Sequence, residues 1–439
     1  MKRIARHRRL FAEGSWVAFG QVGAAVGTLI GIRLLTEFAP PDVYGEMTLV
    51  IGVVALGLGA VFTPVLQAAL RFYPEYAEGR VPLLRKILGS ILWKRSGATL
   101  LLLLASWPFV RQFHQVTPEM GVLVFALLIL DGLRSLEMSL LNAARRQRSY
   151  AVVSVLEAWG RPVAAMVALR VLESGTESIL IGYALVTSLI LFCFYLLGKP
   201  EGAGRPLDLS RLPNDLRQEV RSYSWPLVPM AMVGWVSGVG DRYLIGGLLG
   251  LHEAGIYAAV YGLLSRPFLM ASGVIELTLR PIYNQRVANG AYREANALLR
   301  QWLLAVASVM GVGLLAILLL DDFIVNILLA EEYRSSTALM PWIASGYFLL
   351  ALSHVFEKVC YAFGNTGYIL FIQCAGAVFG IGIAYLGIVY YGLLGAAMAV
   401  PVYFGLQMAL SVFMARKSDR SSRVRGFAAA VIEPGAGAA

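Results

Sequence analysis

Eleven ionisable side chains lie inside apolar stretches of this 439-residue chain: Arg134, Arg161, Arg242, Arg266, Lys358, Asp131, Glu137, Glu157, Asp241, Glu276 and Glu357. A charge near the middle of a membrane-spanning helix costs about 2.5–3.5 kcal/mol on the insertion scale, so each needs a partner, a wet cavity or a ligand. Asp131, Arg134 and Glu137 are spaced i, i+3, i+6, and Glu157 and Arg161 are spaced i, i+4. Helical neighbours at those spacings share a face, so ion pairing accounts for them. Glu276 likewise has Arg280 four residues on. Arg242, Arg266 and Lys358 have no carboxylate three or four residues away, and Asp241 and Glu357 stand beside two of them in sequence but about 100° around a helix.

Two kinds of chemistry follow. The three cations either pair with acids on other helices or line a cavity that binds an anion, where arginine offers forked donors to phosphate oxygens. Arg33, with Glu37 at i+4, and the paired Arg134 and Arg161 complete the set of candidate substrate-binding cations. The acids Asp131, Asp241, Glu276 and Glu357 are candidates to carry a coupling proton or sodium ion, and the spacing selects none of them. His354, one turn before Lys358, reads as a polar-core residue rather than a relay. The chain has no GxxxxGK[ST] phosphate loop, no GxSxG and no Cys/His metal spacing, and Cys193, Cys360 and Cys374 all sit in apolar runs as small buried hydrophobes. No catalytic residue, cofactor or metal site is expected.

The elements that must position these residues are helices in a bilayer. The chain is 58% hydrophobic and 15% charged, against roughly 45–50% and 25% for a soluble domain. Apolar windows predict twelve crossings at 14–36, 43–69, 90–110, 120–142, 151–172, 177–198, 225–249, 254–279, 301–320, 338–361, 367–390 and 393–415. The organisation expected is an N-terminal six-helix bundle over 1–198, a cytoplasmic linker over 199–224, a second six-helix bundle over 225–415 and a largely disordered cytoplasmic tail over 416–439. Within the second bundle, residues 288–300 read as a connecting helix. Of the 37 Lys and Arg, 28 fall in the segments on the side of the termini and only four, Arg33, Arg111, Arg170 and Arg334, in the opposite loops. The positive-inside rule therefore places both termini in the cytoplasm, and the net charge of +10 reads as an orientation signal rather than a nucleic-acid surface.

A shift of 209 residues superposes Ser15-Trp16 on Ser224-Trp225, Gly31 on Gly240, Arg33 on Arg242 and Leu35 on Leu244. It also superposes Val65, Leu70 and Arg71 on Val274, Leu279 and Arg280. With six crossings in each half the repeats are parallel, a pattern of transporters whose halves rock about a central site.

The stretch Gly240-Asp241-Arg242-Tyr243-Leu244-Ile245-Gly246-Gly247-Leu248-Leu249-Gly250, then Gly255-Ile256-Tyr257-Ala258-Ala259-Val260-Tyr261, resembles the polysaccharide flippases of the multidrug/oligosaccharidyl-lipid/polysaccharide exporter superfamily. Arg33-Leu34-Leu35 and Val43-Tyr44-Gly45 fit the same pattern in the first half, and the resemblance spans residues 10–415. It implies a V-shaped pair of six-helix bundles that moves an undecaprenyl-pyrophosphate-linked oligosaccharide, an O-antigen or exopolysaccharide unit, across the bacterial inner membrane. It implies coupling to H+ or Na+, contact with membrane lipids, and polysaccharide polymerase and chain-length regulator proteins as partners. A count of twelve argues against the fourteen-helix peptidoglycan-precursor branch. The competing readings are a drug/cation antiporter of the same superfamily, to which unpaired cations are unsuited, and a membrane polysaccharide polymerase or ligase, which needs a larger outer loop.

Overall fold

The computed structural model describes residues 2–76, 81–110, 117–172, 175–197 and 214–432, and among these every regular element is helical. Residues 199–213 of the linker expected over 199–224, and the end of the tail, 433–439, lie outside the described residues. The first six expected crossings correspond to α1 (Lys2–Phe38), α2 (Pro41–Gly57) continued through a π-helical turn (Leu58–Phe62) into α3 (Thr63–Tyr76), α4 (Val81–Val110), α5 (Pro118–Ala143), α6 (Gln147–Leu172) and α7 (Gly175–Leu197). The second six are α9 (Leu227–Leu248), α10 (Leu251–Ala288), α11 (Tyr292–Leu328), α12 (Met340–Ala362) and the two halves of α13 (Thr366–Ile432), which part at Gly392. Between the sets stands α8 (Asn214–Ser224).

Among the described residues, eight stretches are long and apolar enough to cross a membrane by length and composition, and one of them, Thr366–Asp419, holds both arms of α13. α4, α5 and α9 have 30, 26 and 22 residues. At 1.5 Å per residue each exceeds or matches a hydrocarbon core of about 30 Å. The surface agrees with that setting. Val312 and Leu319 of α11 are 69% and 70% exposed, an apolar face that lipid accepts and water does not. Cys193 is exposed on α7, whereas Cys360 is buried and Cys374 half-buried, so the expectation of burial fails for the first. The protein is a multi-pass membrane protein.

Local chemistry sets the helix ends. Thr117 caps α5 by accepting the Met120 N–H at 3.2 Å, with Pro118 in the first turn and Glu119 beside the positive end of the helix. At Gly392 the backbone takes φ +60°, which glycine adopts without the penalty a Cβ brings, and the chain reverses between the arms of α13. α10 ends at Ala288, Gly290 makes the turn, and α11 begins at Tyr292 and runs straight into its span, so no separate connecting helix forms over 288–300.

Contacts divide the chain into two compact units, Met1–Trp235 with Leu328–Glu332, and Val236–Ile327 with Tyr333–Ala439. In the first unit, Gly20, Gly23, Gly27 and Gly31 let α1 lie directly on Ala151, Val155, Trp159 and Pro162 of α6. Small residues at helical spacing permit such close approach in membranes. The core of this unit gathers Phe62, Val65, Leu84, Leu88, Leu127 and Leu128, and takes in Leu216 and Val220 of α8. Arg95 of α4 secures that arrangement. It donates to the Val61 carbonyl in the π turn (3.4 Å) and to Ser224 Oγ at the end of α8 (3.0 Å). A Cβ on Gly132 would stand 2.0 Å from Cε1 of the buried Phe62 ring. Gly132→Ala is therefore expected to destabilise the unit by about 1–3 kcal/mol, measured as a lowered unfolding temperature of the purified protein in detergent.

Candidate functional site

Within the first unit, the charges of α5 and α6 form one network rather than separate pairs along each helix. Arg134 Nη1 donates to Glu157 Oε2 at 2.6 Å, and its Nε lies 3.7 Å from Asp131 Oδ1. Arg161 donates to Asp131, lies 3.3 Å from Glu157 Oε1, and donates to Thr187 Oγ1 of α7 at 2.7 Å. Its guanidinium also rests 5.5 Å from the centre of the Tyr183 ring. Two cations against two carboxylates, each arginine touching both acids, make the cluster neutral and locked across three helices. Glu137 does not join it, and pairs instead with Arg85 of α4. Arg33 pairs with Glu37 at 2.8 Å in the last turns of α1.

The second unit holds three neighbouring sites. Lys358 of α12 meets Glu276 of α10 at 3.2 Å, and Glu276 also accepts from Arg280 at 3.0 Å. Of the two fates open to Lys358 in the sequence, pairing across helices is the one present. Arg266 is exposed on α10.

Around Asp241 and Arg242 the structure assembles an aromatic cluster. The buried Asp241 carboxylate accepts the Tyr257 hydroxyl at 2.7 Å and the Arg242 backbone N–H at 2.9 Å. The Arg242 guanidinium lies over the Tyr261 ring, 4.5 Å from its centre, and Tyr347, Phe404 and Tyr403 continue the stack at 5.3, 5.8 and 4.5 Å between successive centroids. Among the described residues, no carboxylate oxygen approaches the Arg242 side chain within the 4 Å of a salt bridge. A cation held against ring faces keeps its charge available while the desolvation cost is partly offset.

Glu357, 4% exposed, is held by amides alone: Gln373 Nε2 donates to both of its oxygens at 3.2 and 3.3 Å, and Gln407 Nε2 donates to Oε1 at 3.1 Å. Among the described residues it meets no Lys or Arg within salt-bridge distance. Of the four candidate coupling acids, Asp131 and Glu276 form salt bridges with arginine or lysine, whereas among the described residues Asp241, next to Arg242 in the chain, and Glu357 form none. Gln407, which donates to Glu357, also borders the cavity beside Asp241. With Asp241, Ser237 and Tyr403, Gln407 lines a cavity of about 20 Å³, into which the otherwise unpartnered Ser237 hydroxyl can point. That is room for one water or one bare cation. Tyr257, Tyr261, Gln373, Gln407 and Ser237 were not among the sequence candidates. The i, i+4 spacing of Tyr257 and Tyr261 and the lone amides in apolar spans were the available signals.

The family model of polysaccharide biosynthesis proteins matches residues 94–338. No curated protein matches the chain by sequence. Among solved structures it is similar to the lipid II flippase MurJ in an inward closed conformation, with TM-score 0.65 at 14% identity, covering 91% of this chain and 87% of that one. It is also similar to a transporter of the same exporter superfamily from Pyrococcus furiosus described as having a binding pocket of reverse polarity (TM-score 0.63, 12% identity, 92% and 95% covered). A third similarity is to a mutant of the Vibrio cholerae MATE transporter VcmN (TM-score 0.58, 14% identity, 94% and 97% covered). At these identities the likenesses establish a shared fold. Because the family model spans more than half of its residues, the chain belongs to the polysaccharide biosynthesis protein family.

Proposed function

We propose that the protein is a flippase that carries a lipid-linked oligosaccharide, borne on undecaprenyl pyrophosphate, from the cytoplasmic to the outer leaflet of a bacterial inner membrane by ion-coupled alternating access. The observation that carries this reading is the polysaccharide-biosynthesis match over 94–338 on a fold shared with a named lipid II flippase and with MATE transporters. The lysine and arginine distribution supports cytoplasmic termini.

The candidate residues divide by their partners. Arg134 and Arg161 are bound to Asp131 and Glu157, Lys358 to Glu276, and Arg33 to Glu37. Arg242, stacked on Tyr261, is the cation we assign to the pyrophosphate. Asp241, beside a cavity of one-ion size that Gln407 also lines, and Glu357, which accepts from Gln407, are the acids we assign to H+ or Na+ coupling. An antiporter of cationic drugs fits less well, since Arg242 repels such cargo.

A strain lacking the gene is expected to accumulate oligosaccharide-lipid reachable only from the cytoplasmic side of its membrane. The wild-type gene restores surface polysaccharide, and an Arg242→Ala copy that reaches the membrane does not. Full surface polysaccharide in the deletion strain, with no trapped lipid intermediate, overturns the flippase reading.

A further inference from the structure

A hydrogen-bonded joint in the first unit belongs to none of these clusters. It lies where α2 passes into α3 through the π turn Leu58–Phe62. The Thr63 N–H there reaches back five residues to the Leu58 carbonyl, and Pro64, next in line, has no N–H to give. The turn is therefore short of a donor where Val61 and Phe62 are buried, and an unpaired buried carbonyl costs about as much as a lost hydrogen bond. Arg95 brings a donor from α4. One arm of its guanidinium donates to the Val61 carbonyl, and the other to the fully buried Ser224 Oγ at the end of α8. The rigid fork of an arginine suits two acceptors on two different elements. Leu216 and Val220 of α8 lie in the same core as Phe62 and Val65, and Tyr223 meets the edge of Phe72 at 6.1 Å. Only Trp225 and Pro226 separate α8 from α9, so α8 is where the chain passes from the first set of helices to the second. On its other side the turn presents Phe62 to Gly132, the residue after Asp131 of the ion-pair network.

We infer that α8 is a strap whose docking holds the π turn, and that Arg95 is the positioning residue that transmits its state. With α8 docked, Ser224 fixes the guanidinium and the second arm satisfies Val61. With α8 lifted, the guanidinium loses that hold and the Val61 carbonyl its donor, and a π turn is a place where a helix bends. Two observations make the strap releasable. At 11 residues α8 is too short to be stable as a helix by itself, so its helicity and its docking go together. The like charge of Arg221, three residues before Ser224, also works against Arg95 at the joint. The inference does not rest on the flippase reading and survives its failure.

The test follows amide hydrogen exchange in the full-length protein in phosphatidylcholine bilayer discs, read by mass spectrometry over residues 57–66, with 151–162 of α6 as the internal control. The Ser224 hydroxyl bonds to Arg95 and to the Arg221 carbonyl, not to the turn. Ser224→Ala is nevertheless expected to raise exchange over 57–66 roughly two- to tenfold, the weight of one hydrogen bond, and to leave 151–162 unchanged. Arg95→Gln is expected to do the same. The double variant should exchange no faster over 57–66 than Arg95→Gln alone, because the path from α8 to the turn is already cut. A helix that merely braced the bundle would add its effect in either background. Wild-type exchange over 57–66 in Ser224→Ala overturns the inference, as does a further acceleration in the double variant. The first of these outcomes remains decisive if Arg95→Gln does not fold.

Discussion

Arg161→Ala is expected to destabilise the first unit by about 3–5 kcal/mol, the cost of breaking a buried ion pair from one side. The side chains of Arg161, Asp131 and Glu157 are only 17%, 9% and 18% exposed, so bulk water screens them little. With Arg161 removed, two carboxylates share the single cation Arg134, whose Nε is already 3.7 Å from Asp131, and Thr187 loses the donor that ties α7 to the pair. The uncompensated acid then sits in a low-dielectric interior, where the neutral Thr187 hydroxyl, 3.3 Å from Asp131 Oδ1, does not replace the charge of a guanidinium. The prediction has an internal control. Removing both charges, as in Arg161→Met with Asp131→Leu, eliminates the orphan and should recover most of the loss, because a well-packed apolar pair often matches a buried ion pair. Apparent unfolding temperatures in detergent measure both. A single variant within about 0.5 kcal/mol of wild type would mean that the cluster is hydrated and contributes little.

The same network marks the limit of what the chain's sequence reveals. Spacing brought Asp131 next to Arg134 and Glu157 next to Arg161, since those contacts lie within one helix. Which helix meets which is settled by packing between residues far apart in sequence. Glu137 has Arg134 three residues before it yet pairs with Arg85, 52 residues away, and Lys358 finds Glu276 on another helix. Crossings were legible because a bilayer demands long apolar runs, and even the break near Gly392 appears as a gap between expected spans. α8 was absorbed into a linker because its charge hides its apolar pair, Leu216 and Val220, which only the surrounding core of α3 identifies as buried. The tail extends the same lesson: the second arm of α13 continues as helix to Ile432, past the last expected crossing.

Glu357→Gln is expected to uncouple the protein while leaving it folded. Glutamine has the same shape and keeps an oxygen to accept from Gln373 or Gln407, but it carries no charge for a proton or sodium ion to neutralise. In the wild type, a carboxylate buried among neutral amides is costly unless a cation joins it, and that cost is what makes ion occupancy change the stability of one conformation relative to another. A conformational equilibrium biased in this way typically couples ligand and ion by about 1–3 kcal/mol, or roughly 5–150-fold in affinity. Substrate movement into proteoliposomes with an imposed H+ or Na+ gradient should therefore lose a response of that size in Glu357→Gln and keep its slow, gradient-independent part. Asp241→Asn should weaken the response too if the cavity beside Ser237 and Gln407 holds the ion on its way to Glu357. The partition between the two variants locates the ion. A loss confined to Glu357→Gln places it among the amides of Gln373 and Gln407, and an equal loss in both places it in the cavity. A full gradient response in Glu357→Gln removes this residue from the coupling mechanism.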